Sequence, residues 1–128
     1  MKPLLVLVAG PYRSGTGDEP DKLAANLATL EAAAWPIFRA GHIPIIGEWV
    51  ALPVMRGAGS TRVGDAVSEQ VLYPAAERLL QRCDAVLRLP GESTGADRDV
   101  AIARARRLPV YFNSRQIPGY RPLPSEGW

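Results

Sequence analysis

The sequence predicts one α/β domain in three layers, a doubly wound parallel sheet of four or five strands, Rossmann-like or flavodoxin-like, with helices on both faces. Three observations carry this. The run Leu4 to Ala9 is apolar without alternation, short apolar runs of this kind recur between stretches of helical period, and 128 residues bury one hydrophobic core but not two.

The elements follow in chain order. Leu4-Leu5-Val6-Leu7-Val8-Ala9 reads as a strand covered on both faces, and so as the central one. It runs into Gly10-Pro11-Tyr12 without a small-residue cleavage pattern, which argues against a signal peptide core. From Asp21 the apolar positions Leu23, Leu27, Leu30, Ala34, Ile37 and Phe38 recur every three or four residues, predicting a helix to Ala40, bent at Pro36 and stopped by Gly41. Ile43 to Ile46 makes a short second strand. The stretch from Gly47 to Gly64 has glycines at 47, 57, 59 and 64 and no usable period, so it reads as a long loop. Val67, Val71, Leu72, Leu79 and Leu80 predict a helix ending near Arg82, with Pro74 in its first turns or kinking it. Asp84 to Leu89 is a third strand, Gly95 to Arg107 a third helix and Pro109 to Phe112 a fourth strand. The tail from Gln116 to Trp128 holds three prolines and two glycines and reads as an arm or a cap on the single domain spanning 1–128.

Alternation of strand and helix demands parallel strands joined by right-handed crossovers. Ligands of such sheets bind beyond the carboxyl ends of the strands, where successive connections leave in opposite directions. The expected crevice lies between the first and third strands, walled by Gly10 to Gly17 on one side and Pro90 to Asp99 on the other.

Each wall has a chemical and a structural reading. Three glycines in Gly10 to Gly17 let backbone N–H groups approach an anion or a sugar, and Arg13 would supply a fork for phosphate. The segment is neither a Walker loop nor a dinucleotide fingerprint, since no Gly-Lys-Ser/Thr follows and the glycine spacing differs. It is equally a plain turn. In Pro90 to Asp99, Ser93 or Thr94 can cap the third helix and Asp97 and Asp99 complement its positive end, an account that needs no chemistry. The chemical account has free N–H groups binding an oxyanion while Asp99, kept ionised by the helix dipole, faces the crevice as a nucleophile. Glu48 and Trp49 fall at the carboxyl end of the second strand, where a carboxylate can hold a hydroxyl and an indole can stack on a base or simply cover the core. His42 is the only histidine and Cys83 the only cysteine, which leaves no His-based metal site, no internal disulfide and no multi-cysteine zinc site. Both read as structural.

Composition bounds the partners. Hydrophobic residues make up 47% and charged residues 22%, and no apolar run reaches the roughly 20 residues that span a bilayer. The expectation is a cytoplasmic protein with no membrane partner. Fifteen Lys and Arg against thirteen Asp and Glu give a net charge of +2, which favours an anionic small ligand only mildly and does not suggest a nucleic-acid groove.

The run Arg82-Cys83-Asp84-Ala85-Val86-Leu87-Arg88-Leu89-Pro90-Gly91, then Ser93-x-Gly95-x-x-x-Asp99-x-Ala101-x-Ala103, then Leu108-Pro109-Val110-Tyr111, resembles the nucleoside 2-deoxyribosyltransferase-like superfamily, in particular its small bacterial branch of uncharacterised domains. Val8-Ala9-Gly10-Pro11-Tyr12 and Arg39-Ala40-Gly41-His42 match as well, so the likeness covers most of residues 1–112. The resemblance implies cleavage or transfer of the N-glycosidic bond of nucleosides or nucleoside monophosphates, by a carboxylate attacking the anomeric carbon, with no cofactor and no metal. It places the nucleophile at Asp99, a phosphate or sugar contact at Ser93, with Gly91 and Gly95 beside it, and the sugar pocket at Gly10, Pro11, Tyr12 and Arg13. Relatives often complete their sites across subunits, which implies a homodimer or higher homo-oligomer. Two positions depart from the pattern. The usual nucleophile is a glutamate, one methylene longer than Asp99, and a second acid common before the third strand falls on Ala76, with Glu77 beside it but turned about 100° around a helix.

The leading expectation is therefore a nucleoside or nucleotide N-glycosidase or deoxyribosyltransferase, with Asp99 at the anomeric centre and Glu48 or Glu77 as acid/base. The alternative is a nucleotide-binding sensor or accessory domain without turnover, which the missing acids would suit. A phosphoribohydrolase is the weaker third, because Gly91-Glu92-Ser93 lacks the second glycine of that signature.

Overall fold

The structure is a computed structural model and describes residues 2–122. The strands are β1 (Leu5–Ala9), β2 (Ile43–Ile46), β3 (Ala85–Arg88) and β4 (Val110–Tyr111). All pair in parallel, in the order β2-β1-β3-β4, with Val8 opposite Ile46 on one side and Leu87 on the other. The protein is thus an α/β domain with an all-parallel four-stranded sheet between helical layers, and β1 is one of its two central strands.

The unbroken apolar run of β1 follows from this position. Val6 and Val8 pack on one face with Leu30, Ile37 and Ala40 from the helices α1 (Pro20–Ala32) and α2 (Ala34–Arg39). Leu7 and Ala9 pack on the other with Leu80 of α4 (Ala66–Leu80) and Ala96 and Ala103 of α5 (Thr94–Ala105). Small residues on α5 let that helix lie close to the sheet. Each fully buried Val or Leu contributes about 1.5 to 3 kcal/mol, so the sheet faces supply most of the driving force.

Three local expectations need correction. The helix expected from Asp21 to Ala40 is two helices divided at Ala33. Pro36 cannot donate to the carbonyl of Ala32 and its ring crowds that carbonyl, so the break comes before the proline, which then sits in the first turn of α2 where a missing N–H costs nothing. The expected loop from Gly47 to Gly64 contains a helix, α3 (Gly47–Gly57). Its glycines lie at its two ends and Pro53 removes one internal hydrogen bond. The buried pair Ala51 and Met55 carries the helical period, among exposed Trp49, Val50 and Val54. The third correction is at the tail. Ile117, the second residue of the expected arm, is buried in the α1/α2 face of the core, so the arm begins as part of the fold. Residues 123–128 of that tail lie outside the described residues. Pro74 sits inside α4, which continues through it.

A third apolar cluster, Leu23, Met55 and Val63 with Tyr12, Leu52, Val71 and Leu72, joins α1, α3 and α4 beyond the carboxyl end of the sheet. It roofs the space above β1. Among the described residues no helix is long and apolar enough to cross a membrane.

Candidate functional site

The chain leaves β1 toward β2 on one face and returns from β2 to β3 on the other, so the switch point falls between β1 and β3. A cavity of about 380 Å³ opens there. Its floor is the end of β1 from Leu7 to Gly10, and one wall is the following loop with Tyr12, Arg13, Ser14 and Asp18. The start of α5, Ser93 to Ala96 with Asp99, forms the opposite wall. The helices α3 and α4 close the remaining side with Glu48, Ala51, Glu69, Leu72, Tyr73 and Ala76.

Two carboxylates meet in this cavity. Glu48 is the second residue of α3, so the turn that ends β2 delivers its side chain over the floor. Burial pushes its carboxyl up to about 7, against the opposing effect of a hydrogen bond from its own backbone. Asp99 is also pushed up to about 7, by burial first and then by the neighbouring Glu48 carboxylate, with Arg98 and Arg88 pulling the other way. Asp99 lies in the second turn of α5, the first-turn acid being Asp97. The helix dipole acts within the first turn, so it does not hold Asp99 fully ionised, contrary to the sequence-based expectation. Two acids with values near 7 share about one proton at neutral pH.

The polar groups around the pair are already arranged. Burial raises the Tyr12 phenol, and Glu48 adds to the effect. Arg13 is not an open fork. Its Nε and Nη2 donate to the two Asp18 oxygens at 2.9 Å each, and Nη1 lies 3.6 Å from Glu69. Those partners hold its guanidinium in the charged form, and Arg13 in turn holds Asp18 below the usual carboxylate range. Ser93 is buried, lines the cavity, and its Oγ accepts the Ala96 N–H as the N-cap of α5. Gly95 stands next to the Tyr73 ring, 3.8 Å from where a Cβ would be.

Other expected residues fall elsewhere. Glu77 pairs with Arg98 on the surface and does not line the cavity, because it sits one residue past the inward-facing Ala76. The indole of Trp49 donates to Glu31 at 2.8 Å and lies outside the cavity, since the helix that starts at Gly47 turns residue 49 away from residue 48. Pro11 and Gly91 do not line it either. They touch each other, a Cβ on Gly91 coming within 2.7 Å of the Pro11 ring. His42 and Cys83 are buried structural residues, and burial pushes the Cys83 thiol up to about 11. No group of three His, Cys, Asp or Glu able to hold a metal ion occurs among the described residues.

Asp18, Glu69 and Tyr73 were not singled out from the sequence. Glu69, Leu72, Tyr73 and Ala76 recur at helical spacing on one stripe of α4, a signal that was present. Asp18 gave none, because its role depends on a loop closing back on Arg13. Comparison with protein-family models, curated proteins and solved structures finds no match to this chain.

Proposed function

We propose that the chain cleaves or transfers the N-glycosidic bond of a nucleoside-type substrate, using Glu48 and Asp99 as a carboxylate pair. The observation that carries the reading is the meeting of these two acids, each pushed up to about 7, in a cavity at the topological switch point. Its size lies in the range of small-molecule sites, about 300 to 1,000 Å³. The sequence resemblance independently points to Asp99 and to the same chemistry.

With one proton between them, the pair holds an acid and a base together. The ionised Asp99 attacks the anomeric carbon, the C–N bond breaks, and its electron pair goes to the base nitrogen, which takes the proton from Glu48. Water, activated by the Glu48 carboxylate, then attacks the same carbon and restores Asp99, or a second base takes that place. Tyr12 and Ser93 line the same space and supply hydroxyl groups for the sugar. Arg13, held by Asp18 and Glu69, orders the loop after β1. Glu77 and Trp49 drop out of the mechanism. The same proposal has the chain acting in the cytoplasm as a homodimer or higher homo-oligomer.

Incubation with ribo- and deoxyribonucleosides and their monophosphates, read by chromatography for free base, is the test. Base release that disappears in Asp99→Asn is expected. Ligand binding without release by the wild-type chain would replace the enzyme with a binding domain.

A further inference from the structure

We infer that the cavity takes nucleosides without a phosphate group, and that Asp18 and Glu69 enforce this by occupying the guanidinium of Arg13. The inference rests on the glycosidic reading of the site and narrows its substrate class.

Phosphate recognition calls for an open guanidinium fork or free N–H groups without competing negative charge. Arg13 is the one cation among the described residues that line the cavity, against Asp18, Glu48, Glu69 and Asp99. All three of its nitrogens face carboxylates: Nε and Nη2 meet Asp18 at 2.9 Å, and Nη1 meets Glu69 at 3.6 Å. The arrangement is fixed from behind. The Asp18 N–H donates to Thr16 Oγ1 at 3.0 Å, and the loop before α4 passes so close that a Cβ on Gly64 would lie 2.3 Å from Asp18 Oδ2. The absence of a side chain at Gly64 thus leaves room for the Asp18 carboxylate beside Arg13. At the start of α5, two of the N–H groups are already engaged. Ser93 already takes the Ala96 N–H, its carbonyl takes the Asp97 N–H, and Asp97 and Asp99 follow within two turns. A phosphate dianion entering this cavity meets a lining that is net negative as a whole, with its one cation already paired, whereas an uncharged nucleoside meets hydroxyl groups and apolar surface.

The experiment compares the eight common ribo- and deoxyribonucleosides with their 5′-monophosphates, by calorimetric binding and by base release, for the wild-type chain, Glu69→Gln and Asp18→Asn. Wild type is expected to bind and cleave a nucleoside and to handle its monophosphate at least about tenfold less well, the scale of one uncompensated charge at close range. Both variants are expected to narrow that ratio, Glu69→Gln being the check if Asp18→Asn disturbs the loop. A monophosphate preferred by wild type, or a ratio unmoved in both variants, overturns the inference and leaves the glycosidic reading standing. Nucleoside binding without base release supports the inference and overturns the glycosidic reading. No binding of either class overturns both.

Discussion

The two ends of the sheet use polar side chains in opposite ways. At the amino end, buried His42 accepts the Leu4 N–H at Nδ1 (3.0 Å) and its Nε2 donates to the Pro118 carbonyl (2.7 Å). Beside it, Asp84 Oδ2 accepts the Leu5 N–H at 2.8 Å while its own N–H donates to the Leu5 carbonyl. Both ring nitrogens of His42 and one carboxylate oxygen of Asp84 are thus spent on backbone groups. At the carboxyl end, Glu48 and Asp99 are half-buried on the cavity wall and neither forms an ion pair among the described residues. The contrast separates polar residues that hold the fold from those the fold holds at a cost, and unpaired burial at a ligand-accessible place marks the second kind.

The strongest way to break the comparison is to neutralise the carboxyl end. Asp99→Asn and Glu48→Gln are each expected to lower base release about 10²- to 10⁴-fold, the usual weight of a positioned acid or base. The same changes are expected to raise stability at pH 8. Both folded-state values lie above their unfolded values, so the two carboxyls favour folding below about pH 4 and that contribution is lost as pH rises toward 7. Removing the Glu48 charge should return on the order of 3 kcal/mol, read by urea denaturation at pH 8. The two gains do not add, since Glu48 itself raises Asp99. A variant that loses both activity and stability would put these residues with the amino-end set.

A pH profile sharpens the same point. kcat/KM is expected to be bell-shaped around pH 7, falling on the acid side as the pair binds a second proton and on the alkaline side as it loses the first. A plateau from pH 6 to 9 would show that the pair does not share the working proton. The smallest expected effect on function comes from the amino end. His42→Ala should cost about 2 to 4 kcal/mol by leaving a buried N–H and a carbonyl unmatched, yet leave kcat/KM per folded molecule unchanged.

Much of this was legible before the fold was seen. Strands buried on both faces must be continuously apolar, so β1 stood out, and the switch point then located the crevice. Asp99 was legible from the resemblance together with its place after the Ser93 cap. The state of Glu48 was not legible, because the helix that buries it begins and ends in glycine and carries Pro53 at its centre, features that read as loop. Nor was the closure of Arg13 by Asp18 and Glu69. Three residues from two distant segments make it, and no local period records such a meeting.

The contact between Pro11 and Gly91 sets a mechanical limit. The loops after β1 and β3 are the two jaws of the cavity, and they abut where the proline ring fills the space a side chain at 91 would need. Gly91 has φ of +115°, and its carbonyl accepts from Arg88 at 2.9 Å, so this stop is anchored to its own strand. Two residues outside the cavity thereby act as a gauge block for its width. The opening between the jaws is set by the thickness of that contact, and widening it would begin at Pro11 and Gly91 and leave the acids in place.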